Sequence, residues 1–352
     1  DDGEGGWGDD GLDLDLGDTG GDVFATPAGG MGGGDMYVPP TAGEPVSNRW
    51  RSSGLAAEHC AAGDFTSAMS LLNRQCGITN FAPLKPMFMA LLHGAHANVL
   101  GVPSVPGFQL ALLRNWETAT WNDRGPSNPV IPMALSHLVE LLKVGYKSFT
   151  DGKLPQAREQ FSHVLRWIPL TVVDSKSDAD EIRELLQVCR EYLTAAVLEL
   201  ARRNEYKEDA KRNCELAAYL THCNLQPLHM LFLLRSAMSS AFKLKNFNMA
   251  AGFCRRLLEL SPKREVQQQV MKVLQACEAS PGNALELSYD DKNPFVTCCI
   301  TFAPIYRGSN LVRCPCCTAP FAPECKGKLC PVCNLGEIGY DASGMKNAAH
   351  QR

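Results

Sequence analysis

Residues 146–165 read YKSFTDGKLPQAREQFSHVL, and this stretch decides the fold. Tyr146 and Phe149 close a helical face that begins with Leu135, Leu138 and Leu142. Gly152 breaks it, and Ala157, Phe161, Val164 and Leu165 begin the next face, so the stretch predicts a helical hairpin. The same order of residue types returns at Phe242, Phe247, Ala250, Leu257 and Leu258, and Phe65 with Ala68 echoes its centre. A small Ala lets two helices approach closely while large residues fill the groove between hairpins. That is the logic of tetratricopeptide-like and α-solenoid stacking. The copies are too far apart for a tandem array of about 34-residue repeats.

Working outward, the expected fold is mainly α: stacked helical hairpins followed by a small β-rich, zinc-ribbon-like C-terminal module. Leu55 to Gln75 reads as two short helices broken at Gly63-Asp64, and a helix is expected near 86–99. Ser177 is the expected N-cap of a long helix that aligns Ile182, Leu185, Leu186, Cys189, Leu193, Ala196, Val197 and Leu200. Further helices are predicted at 206–223, 227–244, 247–260 and 262–279, the last capped by Ser261 ahead of Pro262. After Asn283 the pattern changes to short β-prone runs: a strand at 295–302 and a hairpin over 305–312 turning at Gly308.

This divides the chain into an acidic Gly/Asp-rich linker (1–36), an extended strap around Tyr37-Val38-Pro39-Pro40-Thr41 (37–52), a helical-hairpin domain (53–282), a small β subdomain (283–340) and a flexible tail (341–352). The helical domain carries an irregular Pro-rich insert at about 97–130, a length of loop that tends to be functional.

The net charge of −4 over 352 residues hides a split. Residues 1–40 hold ten acids, no Lys or Arg and 13 of the 30 glycines, so the remainder carries +6. Within the linker, Trp7, Leu12, Leu14 and Leu16 alternate with acids, either as a short motif for a basic groove or as a solvated tether. The composition excludes a collagen-like chain, a wholly disordered chain and a strongly basic nucleic-acid binder. No apolar run reaches the ~18–20 residues that cross a bilayer. The opening Asp-Asp-Gly-Glu has no initiator Met and no secretory signal, and reads as the start of the C-terminal piece of a longer chain.

Of the 15 cysteines, seven are scattered through 1–297, mostly on apolar stripes, and eight crowd into 298–333. An odd, clustered set points to a reducing compartment and a metal site rather than to a disulfide framework. Cys314-Pro315-Cys316-Cys317 and Cys330-Pro331-Val332-Cys333 are two C-x2-C knuckles twelve residues apart. Two such turns on adjacent strands close a tetrahedron of thiolates, which one d¹⁰ zinc ion accepts without geometric penalty. The expected ligands are Cys314, Cys317, Cys330 and Cys333, with Cys316 and Cys325 as alternates. A site closed by four cysteines has no open position, so the zinc is expected to be structural. A RING-type cross-brace needs eight ligands in interleaved pairs. Cys298-Cys299 is adjacent rather than spaced, and no His lies between 230 and 349.

No catalytic constellation stands out. The chain has no G-x-S-x-G elbow and no H-E-x-x-H, and Gly145 to Gly152-Lys153 lacks both the spacing of a phosphate loop and its Ser or Thr. His93 and His96, one helical turn apart, and His222-Cys223 read as structural. Arg202-Arg203 and Lys263-Arg264 read as solvated helix faces. No cofactor-binding or catalytic residue is assigned, and the chain is read as not an enzyme, with no small-molecule substrate. The alternatives are a zinc-ribbon module binding nucleic acid and a RING-like ligase scaffold.

Several phrases resemble the C-terminal region of coatomer alpha subunits. They are Arg255 to Lys263 with the preceding Phe242 to Phe247, Cys189-Arg190-Glu191-Tyr192, Ala217 to Pro227, Asn293-Pro294-Phe295, Pro304 to Gly308, and Val38-Pro39-Pro40-Thr41. The resemblance runs from about 37 to 340. It implies a cytoplasmic vesicle-coat protein, peripheral on Golgi and coated-vesicle membranes, acting in Golgi-to-endoplasmic-reticulum and intra-Golgi transport. It implies binding to the epsilon subunit, itself a tetratricopeptide-repeat protein, and to other coatomer subunits, with no nucleic acid. The propellers that recognise dilysine signals in the family have no counterpart among these residues. In the family a protruding β-hairpin threads the epsilon ring, and here 97–130 and 295–312 are the two candidate places for it. The zinc reading rests on the cysteine spacing and not on the resemblance.

Overall fold

The computed structural model describes residues 53–99, 108–111, 133–173 and 175–347. The acidic linker, the strap, most of the 97–130 insert and the last five residues lie outside the described residues.

Ten helices are described. Helices α1 (Ala56–Ala62), α2 (Phe65–Cys76) and α3 (Lys85–Gly94) form the N-terminal group. Strands β1 (His96–Val99) and β2 (Phe108–Ala111) follow. Then come α4 (Leu135–Thr150), α5 (Leu154–Trp167), α6 (Lys176–Asn204) and α7 (Ala210–Leu220). The series ends with α8 (Pro227–Lys243), α9 (Phe247–Glu259) and α10 (Arg264–Ala279). From α4 to α10 each helix packs on the next, as stacked hairpins require.

Three of the hairpins reverse in the same way. Gly63, Gly152 and Lys245 take φ of +83°, +73° and +58° at the turns α1–α2, α4–α5 and α8–α9. Two residues later stands the first large apolar side chain (Phe65, Leu154, Phe247). Five residues later stands a fully buried Ala (Ala68, Ala157, Ala250). The left-handed residue turns the chain through nearly a half-circle, and the Ala lets the returning helix close on its partner. Lys245 adopts this conformation at a cost of about 1 kcal/mol. Its neighbour Asn246 anchors the turn with paired hydrogen bonds, donating to the Leu285 carbonyl at 3.0 Å and accepting from the Leu285 amide at 2.9 Å.

Element ends differ from expectation where a better cap lies nearby. The long helix starts at Lys176, because Ser175 rather than Ser177 accepts the Asp178 amide, at 3.0 Å. The helix expected from 206 starts at Ala210, where Asp209 accepts the Arg212 amide at 3.0 Å. Ser261 does not cap α10. It takes φ +52° just after α9, and α10 begins at Arg264. The helix expected over 86–99 stops at Gly94, and His96 already belongs to β1.

Between α4, α5, α6 and α8 lies an aromatic core. Phe161 stacks on Tyr192 with centroids 4.6 Å apart, and Phe149 meets Tyr192 edge-on at 5.2 Å. The buried polar atoms there are matched in a chain. The Tyr192 hydroxyl donates to His229 Nδ1 (2.6 Å), His229 Nε2–H donates to Thr150 Oγ1 (2.8 Å), and Thr150 donates to the Tyr146 carbonyl (2.9 Å). Burial lowers the His229 pKa to about 4, in keeping with the neutral ring this chain requires.

The C-terminal module is two small antiparallel hairpins, β3 (Phe295–Thr297) with β4 (Pro304–Tyr306) and β5 (Val312–Arg313) with β6 (Pro320–Phe321). The strand expected over 295–302 therefore ends at Thr297, and no hairpin forms across Gly308. The chain turns back at Cys298 instead, and Gly308 (φ +96°) lies in the link between the two hairpins.

This module shares a core with the helices. One apolar cluster runs through Leu72, Ile78 and Phe161 into Cys314, Phe321 and Ile338, while α7 to α10 enclose a second around Ala237, Phe253 and Leu257. The tail expected to be flexible from 341 is docked as far as 347. The Ser343 amide donates to the Arg74 carbonyl at 3.0 Å, and buried Asn347 donates to the carbonyls of Ile168 and Thr171 at 2.7 and 2.8 Å. An amide side chain that caps two free carbonyls at a helix end outweighs the fraying expected of a terminus.

Candidate functional site

The cysteine module is built from a repeated turn. Residues 297–304 (TCCITFAP) and 313–320 (RCPCCTAP) align sixteen positions apart. In the second copy the Cys314 amide donates to the Ala319 carbonyl (3.0 Å), the Thr318 amide donates to the Cys314 carbonyl (2.8 Å), and Thr318 takes φ +61°. In the first copy the Cys298 amide donates to Ala303 (3.0 Å), the Phe302 amide donates to Cys298 (2.8 Å), and Phe302 takes φ +53°. A third turn at Cys330 repeats the inner bond, Asn334 amide to Cys330 carbonyl at 2.8 Å, with Asn334 at φ +56°. Sequence reading found the turns at Cys314 and Cys330 by their C-x2-C spacing. It missed the turn at Cys298, because Thr301 stands where the second cysteine would be. The matching Ala303-Pro304 and Ala319-Pro320 were the signal that could have found it.

The turns at Cys314 and Cys330 bring four sulfurs together. Cys314 Sγ lies 3.7 Å from Cys333 Sγ, and Cys317 Sγ lies 3.6 Å from Cys330 Sγ. All four atoms lie within 4.8 Å of one another, and all four residues are buried. The group could hold a metal ion. Of the alternates, Cys316 is buried beside the group but outside it, and the Cys325 sulfur faces Cys298 instead. Hydrogen bonds from Cys314, Cys316, Cys317 and Cys330 hold the Cys333 thiol well below its ordinary range, while burial pushes Cys317 and Cys330 up. Four thiols in one dry pocket cannot all ionise alone. A dication at their centre removes that penalty.

The helices hold the module in place. Arg190 on α6 donates to Thr318 Oγ1 at 2.8 Å, and Arg212 on α7 donates to the Phe302 carbonyl at 2.8 Å. Each arginine thus clamps the left-handed residue of one turn. Glu215 orients Arg212 at 2.7 Å and accepts the Ser288 amide at 2.9 Å. On the opposite side, the amides of Thr79 and Asn80 both donate to the Leu335 carbonyl at 3.0 Å, and Tyr340 donates to Asn73 Oδ1 at 2.9 Å.

The second feature is β1 with β2, an antiparallel pair in the register His96↔Ala111, Ala97↔Leu110, Asn98↔Gln109 and Val99↔Phe108. It follows α3 with only Ala95 between them. Of the two places expected for a protruding hairpin, 97–130 covers this ladder except for its first residue, His96, whereas 295–312 holds β3, β4 and the start of β5, bound into the cysteine module.

The remaining sequence candidates fall into structural roles. His93 lies in the last turn of α3 while His96 begins β1, so they do not share a helical face. His222 packs on Phe295 at 4.6 Å and hydrogen-bonds the Tyr289 hydroxyl at 2.9 Å. Arg202 and Arg203 are not a solvated face, since both pair with fully buried Glu199 at 2.7 Å. Lys153 precedes α5 as its N-terminal flank. Among the described residues no helix is long and apolar enough to cross a membrane.

Comparison with known proteins agrees across the whole chain. A family profile described as the C-terminus of the coatomer (COPI) alpha subunit matches residues 1–352. Coatomer subunit alpha-1 of Arabidopsis thaliana is 44% identical over 344 residues, covering 97% of this chain and 28% of its own length. Coatomer subunit alpha-3 of Oryza sativa is 44% identical over 312 residues, covering 88% and 25%. Coatomer subunit alpha of Dictyostelium discoideum is 39% identical over 320 residues, again covering 88% and 25%. The chain thus spans about a quarter of the length of the curated relatives it matches. Vesicle-coat membership, expected from the phrases in the sequence, is the result these matches give: the chain belongs to the family of coatomer alpha C-terminal regions.

Proposed function

We propose that this chain is the part of a vesicle-coat protein that anchors the epsilon subunit, and that it works by presenting shape rather than by catalysis. The observation that carries the reading is the β1–β2 ladder that follows α3. An antiparallel ribbon offers two edges of backbone donors and acceptors, which suits insertion into a curved helical-repeat partner. In this reading the protein is cytoplasmic and reaches Golgi and coated-vesicle membranes through the other coatomer subunits, in retrograde and intra-Golgi transport. The cysteines Cys314, Cys317, Cys330 and Cys333 hold one structural zinc ion. That ion supplies a rigid corner against which α2 and the segment after it pack.

The test is co-expression with epsilon followed by gel filtration. Asn98→Pro with Leu110→Pro falls on adjacent cross-strand pairs, so it removes one ladder donor and one outward edge donor without touching the cysteine module. Loss of co-elution with epsilon is expected, with the helical circular-dichroism signal unchanged. Undiminished co-elution, or co-elution lost only on disturbing 295–312, rejects the placement.

A further inference from the structure

The two hairpins of the cysteine module are built alike, yet only one of them serves the four-sulfur group. In that group the pairs run first-to-second: the first cysteine of one turn (Cys314) faces the second of the other (Cys333), and Cys317 faces Cys330. The turn at Cys298 has a partner on the same plan. Cys298 is the first position of its turn, and its sulfur lies 3.9 Å from that of Cys325. Cys325 is the last residue of a short 3₁₀ turn, Pro323–Cys325, whose amide bonds back to the Ala322 carbonyl at 2.9 Å. Read as C-x2-C positions, Ala322 and Cys325 make a third pair, and Thr301 is the second position of the first pair. Along the chain the pairs run 298/301, 314/317, 322/325, 330/333. Pairs one and three meet, as do pairs two and four, so the order is interleaved.

The spacing is that of a metal site. Four sulfurs about 2.3 Å from one zinc ion stand roughly 3.8 Å apart. The Cys298–Cys325 separation of 3.9 Å matches that edge as well as the 3.7 and 3.6 Å of the complete group do. An amide also points at a sulfur in each site: Thr301 N–H at Cys298 Sγ and Gly336 N–H at Cys333 Sγ, both at 3.5 Å. Such bonds steady a thiolate. Both cysteines are fully buried.

We propose that Cys298 and Cys325 form a second metal site, one half of an interleaved pair, in which Thr301 and Ala322 occupy the two lost ligand positions, so that it takes a two-coordinate thiophilic ion such as Cu(I) rather than zinc. With two thiolates, and Thr301 and Ala322 in place of the other two cysteines, a zinc tetrahedron is left incomplete. A soft d¹⁰ ion of low coordination number is satisfied by the two sulfurs.

The architecture rests on the four-cysteine zinc site, and the experiment reads the two separately. The full chain and its variants, loaded with zinc, are titrated without oxygen using Cu(I) held in a bathocuproine-type buffer. Both metals are then counted per chain. The unaltered chain is expected to keep one zinc and gain one copper. Cys298→Ser with Cys325→Ser is expected to keep its zinc and bind copper at least tenfold more weakly. Equal copper uptake by the two chains, or copper gained only as zinc leaves, overturns the proposal. Since loss of two buried thiols can loosen the module, Thr301→Cys with Ala322→Cys asks the same question by addition. It should hold one more zinc than the unaltered chain. No gain in zinc overturns the interleaved geometry, while an unaltered chain without zinc marks failure of the four-cysteine site alone.

Discussion

The helical hairpins and the cysteine module reach stability by different routes. The hairpins bury large apolar side chains against small ones: Phe161 fills the space that Gly145 leaves, and Tyr192 stacks on it. Their stability is spread over many contacts, each worth a few kcal/mol at most. The module has strands of two or three residues and a core of thiols. A region that small cannot hold itself on apolar area alone. With zinc in the four-cysteine group, as proposed, it would depend on one concentrated term, the metal, and on the arginines that clamp it from α6 and α7. The comparison teaches that a loss in the hairpins should be graded, and a loss in the module should be abrupt.

The largest effect should come from the metal. Structural zinc can supply on the order of 10 kcal/mol of folding free energy to a thiolate module. Cys330→Ser with Cys333→Ser is expected to abolish zinc binding and to raise amide exchange across 295–340. The exchange should spread to Ile78 and Asn80, which pair with Gly336 and Leu335, and should stop short of the second core in α8 and α9. The helical dichroism should persist. Retained zinc would reject the ligand assignment, and collapse of the whole chain would mean that the two regions do not differ as argued.

Within the hairpins, Phe161→Ala should cost about 3–5 kcal/mol, the usual range for emptying a large buried aromatic site. Phe161 is fully buried, and a Cβ on Gly145 would lie only 3.0 Å from its ring. Urea unfolding followed by helical dichroism would show a lower midpoint while bound zinc stays at its original count. Loss of zinc with the helical signal would show that the shared core makes the two regions one cooperative unit.

The hairpins were legible in the sequence because their signal is local. Phe65 with Ala68, Leu154 with Ala157 and Phe247 with Ala250 each lie within six residues of their turn. The four-cysteine group was legible for the same reason, as each C-x2-C pair is one turn of chain. Strand pairing was not. Gly308 marked a turn correctly, but β4 pairs back across Cys298 and not forward across Gly308, and only the three-dimensional closure of the Cys298 turn decides that. The docked tail was hidden because Asn347 acts on carbonyls at Ile168 and Thr171, more than 170 positions earlier. Capping choices such as Ser175 over Ser177 lay within the reach of sequence reading but are nearly degenerate by propensity.

The smallest predicted effect lies at the seam between the regions. Gly77 ends α2 at φ +61°, and a Cβ there would lie 2.6 Å from Pro315 Cγ and 3.0 Å from the Tyr340 ring. Neither neighbour is the free end of a flexible chain, so Gly77→Ala must push the Cys314 turn away from α2. The expected cost is about 1–3 kcal/mol, from backbone strain and overpacking together. Gly63→Ala separates the two. Gly63 is also left-handed, at φ +83°, but its nearest neighbour is Leu92 Cδ1 at an ordinary 3.5 Å. Both variants should lower the unfolding midpoint, Gly77→Ala by more. Only Gly77→Ala should speed exchange at Thr79 and Asn80, whose amides bond to Leu335. Zinc content should stay the same in both, since neither substitution touches a sulfur. Equal midpoints and equal exchange would mean that the contact of Gly77 with the module contributes nothing beyond the turn itself.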